Sequence, residues 1–423
     1  MEQTISIIVF LAVIGLIVVN KFHEAVIAVA GAVVLLLTQV LDVETAASYI
    51  DYNTIGVLIG MMLFVNVLKH SGMFEYIAIK SAKIAKGDPW RIMMLFVIVT
   101  AVLSGFLDNV TTVLLIGPMT ISITRILGLN PVPYLMSQVL ASNMGGTATL
   151  IGDPPNIMIG SQAGLSFMDF ICHAAPAIVI IMIVFIICLK FIYGNKMQVE
   201  QSAINQVMLL DEKKAIEDPA LMKKGIVMII LVVLGFVFHS QLHAESSTIA
   251  LTAAVIMMLI GKQKAEDIIA DVEWTSIIFF TALFIVVGGL VETGVVGQLA
   301  QVVISATSDK PILTMLVILW ASALLSTILN NIPFVAALIP LVIDMGQSGM
   351  DIFPLWWAIS LGACLGGNGT LVGASANIVL ANISAKHGHP ISFATFFKLG
   401  FPMMLMSIVI SSIYLVLRYG IFY

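Results

Sequence analysis

A short polar segment inside a long apolar stretch is the first place in this sequence where chemistry could occur. Residues 107–112 read LDNVTT, and the apolar stretch around them spans 92–124. Asp and Asn favour turns and helix N-caps, because their side chains accept hydrogen bonds from free backbone N–H groups. An ionised carboxylate at membrane depth costs on the order of 3 kcal/mol. Asp108 therefore either caps a turn or binds a cation or a proton.

A second segment combines helix breakers with polar side chains. Residues 143–156 read NMGGTATLIGDPPN, and residues 366–377 read GGNGTLVGASAN. A Gly-Gly pair lets backbone approach a ligand, and Pro154-Pro155 removes two N–H donors. Unwound backbone at membrane depth is tolerated only where it is buried in protein or lines a watery cavity. Freed carbonyl and Thr hydroxyl oxygens could coordinate a cation, and helix N-termini could face an anion. Close helix packing through small residues is the alternative.

Both segments belong to an internal repeat. Asn109 corresponds to Asn331, at an offset of 331 − 109 = 222, and after a one-residue slip Asn156 corresponds to Asn377. Ordered matches of Gly, Pro and Asn are far rarer by chance than matches among Leu, Val and Ile. Further pairs at the first offset are Asp51 with Glu273, Ser104 with Ser326 and Pro118 with Pro340; after the slip they are Gly145-Gly146 with Gly366-Gly367 and Thr149 with Thr370.

Composition places the chain in a membrane. It is 60% hydrophobic and 10% charged, with a mean hydropathy of +1.09, whereas soluble chains carry roughly 25% charged residues. A helix needs about 20 apolar residues to cross a bilayer, which predicts an all-α polytopic membrane protein with about ten transmembrane helices and interrupted helices at the site. Two apolar stretches are too long for one helix and are broken centrally by polar residues, so each forms either two thin spans or a re-entrant helical hairpin that enters and leaves on the same side. The predicted spans are 4–20, 25–41, 54–68, 134–163 (interrupted), 169–192, 225–242, 246–261, 275–291, 354–385 (interrupted) and 398–417, and the hairpins are 92–124 and 312–345.

The repeat divides the chain into a first repeat at 1–192, a linker at 193–224 and a second repeat at 225–423. Each repeat has five predicted spans plus one hairpin, so the second must be inverted relative to the first. Inverted repeats place the binding site where they meet, near the midplane of the membrane.

The basic residues predict the orientation. With the N-terminus outside, all of the 19 Lys and Arg residues except Lys310 and Arg418 fall on the inside, as the positive-inside rule requires. We therefore expect a multi-pass protein of the cell membrane, with both termini outside and the linker in the cytoplasm. Trp356 and Trp357 are predicted to lie in the outer interfacial belt.

The predicted site combines both hairpin tips with both interrupted helices. Two carboxylates in a shared cavity of low dielectric repel, so one should hold a proton, or a cation should lie between them. No cofactor beyond coupling H+ or Na+ is expected, and a Na+ ion is expected at Asp108, Asn109, Thr147 and Asn331. The full set is Asp108, Asn109, Thr111, Thr112, Gly145, Gly146, Thr147, Thr149, Asp153, Asn156, Asn330, Asn331, Gly366, Gly367, Asn368, Thr370 and Asn377.

Other classes of protein lack their signals here. The sequence has no HExxH, GxSxG or P-loop pattern, which argues against an enzyme or a primary pump. The possibility that another chain supplies an ATPase subunit is not excluded by the sequence. No basic patch interleaved with aromatic residues suggests nucleic acid, and the three cysteines show no metal or disulfide spacing. The partners expected are the lipid bilayer and a small ion or solute.

The segments at 108–112 and 152–156 resemble the signatures of the ion transporter superfamily, and most of all the arsenite permease, NhaD and P-protein group, which shares a citrate-transporter-like domain. The resemblance covers essentially the whole chain. It implies an inverted-repeat fold with two re-entrant helical hairpins and two interrupted helices. These would form a transport domain, the outer helices would form a scaffold, and a homodimer and an elevator-like motion are expected.

The hairpin tips depart from part of that superfamily. Relatives that carry dicarboxylates with sodium have Ser-Asn-Thr at both tips, whereas this sequence has DNVT at 108–111 and NNIP at 330–333. The departure favours a cation or a neutral solute. We therefore predict a secondary transporter, an H+- or Na+-coupled antiporter that exports a cation (Na+/H+ exchange) or arsenite. A sodium-coupled transporter of organic anions such as dicarboxylates or citrate is the alternative.

Overall fold

The computed structural model describes residues 1–19, 21–194, 197, 199–307 and 310–420, and all regular secondary structure in these residues is helical. Lys196, assigned to the inside, and residues 421–423, at the predicted external C-terminus, lie outside the described residues. The helices of the first half are α1 (Glu2–Val19), α2 (Glu24–Leu37), α3 (Val43–Ser48), α4 (Tyr52–Lys69), α5 (Met73–Ile84), α6 (Pro89–Ser104), α7 (Asn109–Ile126), α8 (Val132–Thr147), α9 (Pro154–Ala163), α10 (Phe167–His173) and α11 (Ala175–Tyr193).

The second half follows a linker that contains α12 (Gln201–Met208) and a 3-10 turn at Glu212–Ala215. A second 3-10 turn, Gly367–Gly369, follows α20, and a π turn, Val416–Gly420, ends the described chain. The helices of this half are α13 (Pro219–Phe238), α14 (Ser246–Gly261), α15 (Ala265–Ala270), α16 (Trp274–Glu292), α17 (Val295–Ala306), α18 (Pro311–Ile328), α19 (Asn331–Gln347), α20 (Phe353–Gly366), α21 (Ser375–Lys386) and α22 (Phe393–Leu415).

Seven helices of the described chain are long and apolar enough to cross a membrane on their own, namely α4, α7, α11, α13, α16, α18 and α22 with its π turn. The other predicted spans are the shorter helices α1, α2 and α14 and the two interrupted pairs, α8 with α9 and α20 with α21. The predicted all-α membrane fold is confirmed.

Equivalent helices of the two halves make equivalent contacts. Helix α4 packs on α14 and its counterpart α16 packs on α2; likewise α6 packs on α8 and α18 on α20. The second arm of each hairpin crosses to the other half, because α7 packs on α21 and α19 packs on α9. This exchange interlocks the repeats and brings both hairpin tips to the interrupted helices.

Each hairpin turns where the sequence places Asp or Asn after an apolar helix. Helix α6 ends at Ser104, and the Asp108 side chain accepts a hydrogen bond from the Thr111 backbone N–H to begin α7. In the second hairpin the Asn330 side chain accepts from the Ile332 backbone N–H to begin α19. These caps satisfy donors that would otherwise be unpaired at the buried start of a helix.

Two features outside the site differ from the simple picture of spans and loops. The linker docks on α5, where Lys83 Nζ lies 2.5 Å from Glu212 Oε2, and this hydrogen bond lowers the pKa of the Glu212 carboxyl.

The prediction that Trp356 and Trp357 form an interfacial belt is wrong, because both side chains are buried. They lie on α20, which runs through the protein between α18, α22 and α8.

Candidate functional site

A cavity of about 50 Å³ lies where both hairpin tips meet both interrupted helices. Roughly 10–15 Å³ of such space holds one water molecule, so the cavity has room for a few waters or a small ion. Its described lining contains three carboxylates and no Lys, Arg or His. The lining residues are Leu58, Met62, Asp108, Asn109, Val110, Asp153, Pro154, Glu273, Ser276, Phe280, Asn331, Ile332, Ala374, Ser375 and Ala376.

Four helices begin at this cavity. The first residues of α7, α9, α19 and α21 all belong to its lining. A helix N-terminus carries a partial charge of roughly +0.5 and unpaired N–H groups. The cavity is therefore a place where negative charge is stabilised, and in this chain two of the negative charges are built in as Asp108 and Asp153.

Asp153 has one carboxyl oxygen without a hydrogen-bond partner in the part of the chain that the structure describes. It occupies the N-cap position of α9 but makes no side-chain cap bond. The reason is local, because Pro154 and Pro155 have no N–H, and the Asn156 N–H donates to the Asp153 backbone carbonyl instead. Its side chain is 2% exposed, and its Oδ2 has no hydrogen-bond partner among the described residues.

Two amide side chains stand near this carboxyl. The Asp153 carboxyl interacts with the buried Cys364 thiol and with the side chains of Asn109 and Asn331, which are repeat partners at the two hairpin tips. Both asparagines line the same cavity. Asn109 is held in place because its Oδ1 accepts a hydrogen bond from Ser104 Oγ at 2.5 Å. A cation at Asp153 would thus have polar neighbours from both halves.

Asp108 combines the two roles that its sequence position suggested. One carboxyl oxygen accepts from the Thr111 backbone N–H at 2.8 Å, and the other accepts from the Thr111 hydroxyl. The residue is half-buried and lines the cavity. It is therefore a tip cap, as Asn330 is in the other half, with a carboxylate still open to the cavity.

Glu273 was not among the predicted site residues, and it lines the cavity. It precedes α16, receives a hydrogen bond from Ser276 Oγ at 3.3 Å, and interacts electrostatically with Asp108. Glu24 lies nearby, where its Oε2 accepts from Asn330 Nδ2 at 3.4 Å. The signal for Glu273 was present in the repeat, since it matches the acid Asp51.

Most of the other predicted site residues satisfy the unwound backbone instead of lining the cavity. Asn156 Nδ2 donates to the carbonyl oxygens of Thr147 and Thr149 at 3.1 and 2.9 Å. Asn377 Nδ2 repeats this arrangement with Gly367 and Thr370 at 2.8 and 2.9 Å. The two asparagines thus hold the breaks open in the same way in both halves.

The threonines of the breaks bind the hairpins. Thr149 Oγ1 donates to the Gly105 carbonyl at 2.5 Å, and Thr370 Oγ1 donates to the equivalent Thr327 carbonyl at 2.6 Å. Thr147 Oγ1 donates to the Asn143 carbonyl at 2.7 Å. Of the four residues expected to hold Na+, Asp108, Asn109 and Asn331 line the cavity and Thr147 does not.

The remaining predicted residues are buried around these contacts. Thr112 Oγ1 has no hydrogen-bond partner among the described residues. Gly145 and Gly366 lie against the backbone of α6 and α18, Gly146 lies against Asn109 and Gly152, and Gly367 lies against Gly373 and Ala374.

A hydrogen-bond network that the sequence did not reveal joins the two interrupted helices. Asn143 Nδ2 donates to Asn368 Oδ1 at 2.8 Å and to Asn377 Oδ1 at 3.1 Å. In return Asn156 Oδ1 accepts from Ser360 Oγ at 2.7 Å and lies 3.6 Å from Cys364 Sγ. This buried network joins the interrupted helices of the two halves directly.

An all-helical inverted repeat with hairpin tips and broken helices around one cavity defines a membrane transporter of the ion transporter superfamily. The profile of a family described as "Citrate transporter" (CitMHS) matches residues 14–362. The chain belongs to this citrate transporter family.

Relatives over the full length agree with this assignment. The chain is 41% identical to a "46 kDa membrane protein" of Mycobacterium leprae and 42% identical to an "uncharacterized transporter" of Mycobacterium tuberculosis, over 99% of both chains in each case. It is 30% identical to the P protein of Homo sapiens, over 99% of this chain and 60% of that protein. The crystal structure of the YdaH transporter of Alcanivorax borkumensis, with a TM-score of 0.61, 14% identity and coverage of 90% and 88% of the two chains, shares the fold.

Proposed function

We propose that the protein is an H+- or Na+-coupled antiporter that exports a small cation, with Na+/H+ exchange as the leading reaction. One observation carries the proposal: the cavity is lined by the carboxylates of Asp108, Asp153 and Glu273, and no basic side chain of the described chain lines it. A cavity with that lining attracts cations and repels free carboxylates.

Asp153 is the proposed coupling group, with Asp108 as its partner. Asp153 is buried and its Oδ2 has no partner among the described residues, so its ionised form is costly and is stabilised by taking up a proton or a metal cation. Competition between a proton and Na+ for the same carboxylates is what exchange requires. Asn109 and Asn331 would provide amide oxygens to the metal cation.

Export of arsenite, a neutral solute at physiological pH, fits the uncharged amides and the small cavity. Transport of an organic anion has support from the family description and from the four helix N-termini that face the cavity. Against it stand Asp108 and Asp153, which occupy the positions next to α7 and α9 where the carboxylates of such a substrate would bind.

The N-terminus is proposed to lie outside, which puts the linker and the α15–α16 turn in the cytoplasm. In this arrangement α1–α5 and α13–α17 form the scaffold, while the hairpins, the interrupted helices and the helices that follow them form the moving part.

The test uses purified protein in proteoliposomes that contain a pH-sensitive dye. The vesicles are challenged in turn with Na+, Li+, arsenite, a dicarboxylate and citrate. We expect a proton flux with Na+ or Li+ that falls at least about tenfold in Asp153→Asn and in Asp108→Asn, equivalent to about 1.4 kcal/mol. Asp108→Asn keeps the tip cap, because Asn caps as well as Asp, so its loss of flux would report the charge.

Glu266→Gln is the matched control, since Glu266 is exposed on α15 outside the cavity. Unchanged flux and pH profile in both Asp variants would make these acids structural. Flux that depends on citrate or a dicarboxylate and not on Na+ or Li+ would support the organic-anion transporter instead.

A further inference from the structure

Asp51 and Glu273 are repeat partners that stand at the start of equivalent scaffold helices. Asp51 is the N-cap of α4 and Glu273 is the N-cap of α16, at an offset of 273 − 51 = 222. Because the repeats are inverted, these two acids approach the central site from opposite sides of the membrane. The path that a transported cation would follow through the central site therefore has an acidic residue at each end.

The Asp51 end is closed. Asp51 is 6% exposed, and its carboxyl accepts from the Thr54 N–H at 3.0 Å, the Thr54 hydroxyl at 2.8 Å and Ser161 Oγ at 2.9 Å. Ser161 belongs to α9, so this last bond joins the scaffold to the moving part. Asn53 Nδ2 strengthens the joint by donating to Ser161 Oγ at 3.2 Å.

The Glu273 end is open. Glu273 makes no cap bond to α16 and lines the cavity with Asp108 and Asp153. The helix pair α4 and α9 is packed together, whereas its counterpart, α16 and α21, makes no comparable contact in the described chain. Asn382, the counterpart of Ser161, is exposed. The two ends thus show the two arrangements of one joint.

Two further observations point to a ligand on this path. Asp153 Oδ2 is buried without a partner in the cavity that Glu273 lines. On the closed side, a separate cavity of about 270 Å³ reaches Ser161 and Asn53, next to Asp51. Asp51 is therefore bonded to a residue that lines this second cavity, and Glu273 lines the central one.

We propose that Glu273 and Asp51 are alternating transient sites for the transported cation, Glu273 on the side that is open here and Asp51 on the other side after the moving part has shifted. This inference rests on the proposed cation transport. In the shifted state the bond between Ser161 and Asp51 is broken, Asp51 faces the central site, and Asn382 closes on Glu273.

The first experiment measures the half-saturating Na+ concentration from each side, in vesicles of known protein orientation. Glu273→Gln should raise it at least tenfold on the α15–α16 side and leave the other side within about twofold. Asp51→Asn should do the reverse, and it keeps the N-cap of α4 because Asn is a good capping residue. Glu266→Gln, on the same side as Glu273, is the control and should change neither value.

The inference is overturned if either variant changes the half-saturating Na+ concentration equally on both sides, or if neither variant changes it. The exchange itself would still stand. The proposed function fails separately if wild-type vesicles show no proton flux with Na+ or Li+, and the inference then falls with it. A purely structural role for Asp51 would lower stability without a difference between the sides.

A second measurement is independent of flux. In a variant without native cysteines that keeps both acids, Asn53→Cys with Ser161→Cys should react with a thiol cross-linker in the state described here, since these two side chains are hydrogen-bonded. Thr275→Cys, at the position equivalent to Asn53, with Asn382→Cys should react only when the moving part has shifted, and either cross-link should stop transport. An active protein in which the second pair never cross-links under any ion gradient refutes the alternation.

Discussion

Replacing Gly145 by Ala tests whether close backbone contact holds the first hairpin in place. A Cβ at Gly145 would lie 2.0 Å from the Ala101 carbonyl oxygen of α6, and one at Gly366 would lie 2.5 Å from the Ala323 oxygen of α18. Reaching a separation of 3.0 Å requires the helices to part by about 1 Å at Gly145 and by about 0.5 Å at Gly366. The obstacle is backbone in both cases, so no side chain can rotate away.

The free energies follow from these shifts. Overpacking costs about 1–3 kcal/mol, and Ala in place of Gly in a helix returns about 1 kcal/mol. With the larger shift, Gly145→Ala should destabilise by about 2 kcal/mol, and Gly366→Ala should be less harmful or near neutral. Because α6 leads to the Asp108 turn, Gly145→Ala should also slow transport.

The assay is thermal unfolding in detergent, followed by circular dichroism, which reports directly on an all-helical chain. Gly15→Ala is the control, because a Cβ at Gly15 meets nothing within 4 Å, and it should match or exceed the wild-type Tm. From highest to lowest, the expected order of Tm is Gly15→Ala, Gly366→Ala and Gly145→Ala. If Gly145→Ala unfolds at or above the wild-type temperature, the α6–α8 contact does not limit stability and the reasoning fails.

Two further predictions concern the break and the orientation. Asn377→Leu removes donors to two buried carbonyls, so it should destabilise the protein by about 1–3 kcal/mol and lower the Tm. Asn382→Leu, at an exposed position, is the control and should not lower it. Equal Tm values for the two variants would contradict the role of Asn377. Ser348→Cys, in the exposed α19–α20 turn, should react with a membrane-impermeant maleimide in intact cells that express a variant without native cysteines, and reaction only after permeabilisation would reverse the orientation.

The sequence predicted the architecture well because helix breaks at membrane depth are conspicuous. Asp108 and Asn109 interrupt an apolar stretch that is too long for one span, and the structure turns there. The matched Gly, Pro and Asn residues identified the repeat because each has a backbone role that few other residues can fill. Structural features that depend on one short segment of the sequence could therefore be predicted.

The contents of the cavity were harder to predict for a physical reason. Asn156 and Asp153 belong to the same broken segment, yet Asn156 satisfies carbonyls while Asp153 faces the cavity, and only the folded backbone decides which does which. Glu273 lines the cavity and its partner Asp51 does not, although both match in the repeat. Asp51 is instead hydrogen-bonded to Thr54 and to Ser161 of α9, and a sequence pattern does not encode which of two matched acids is bonded in this way.

The unequal distribution of acids between the halves has an electrostatic rationale. Four helix N-termini of roughly +0.5 each supply about two positive charges around the cavity, and Asp108 and Asp153 supply two negative charges when ionised. Acids also at Asn330 and Ala374 would leave an excess of negative charge, and each buried carboxylate would cost on the order of 3 kcal/mol more. A bound cation adds one positive charge, which the third carboxylate, Glu273, can balance at the open end. For the proposed cation exchange, the neutral residues of the second half would thus limit the site to one cation at a time, and the proposed roles of Glu273 and Asp51 would let that cation enter and leave on opposite sides.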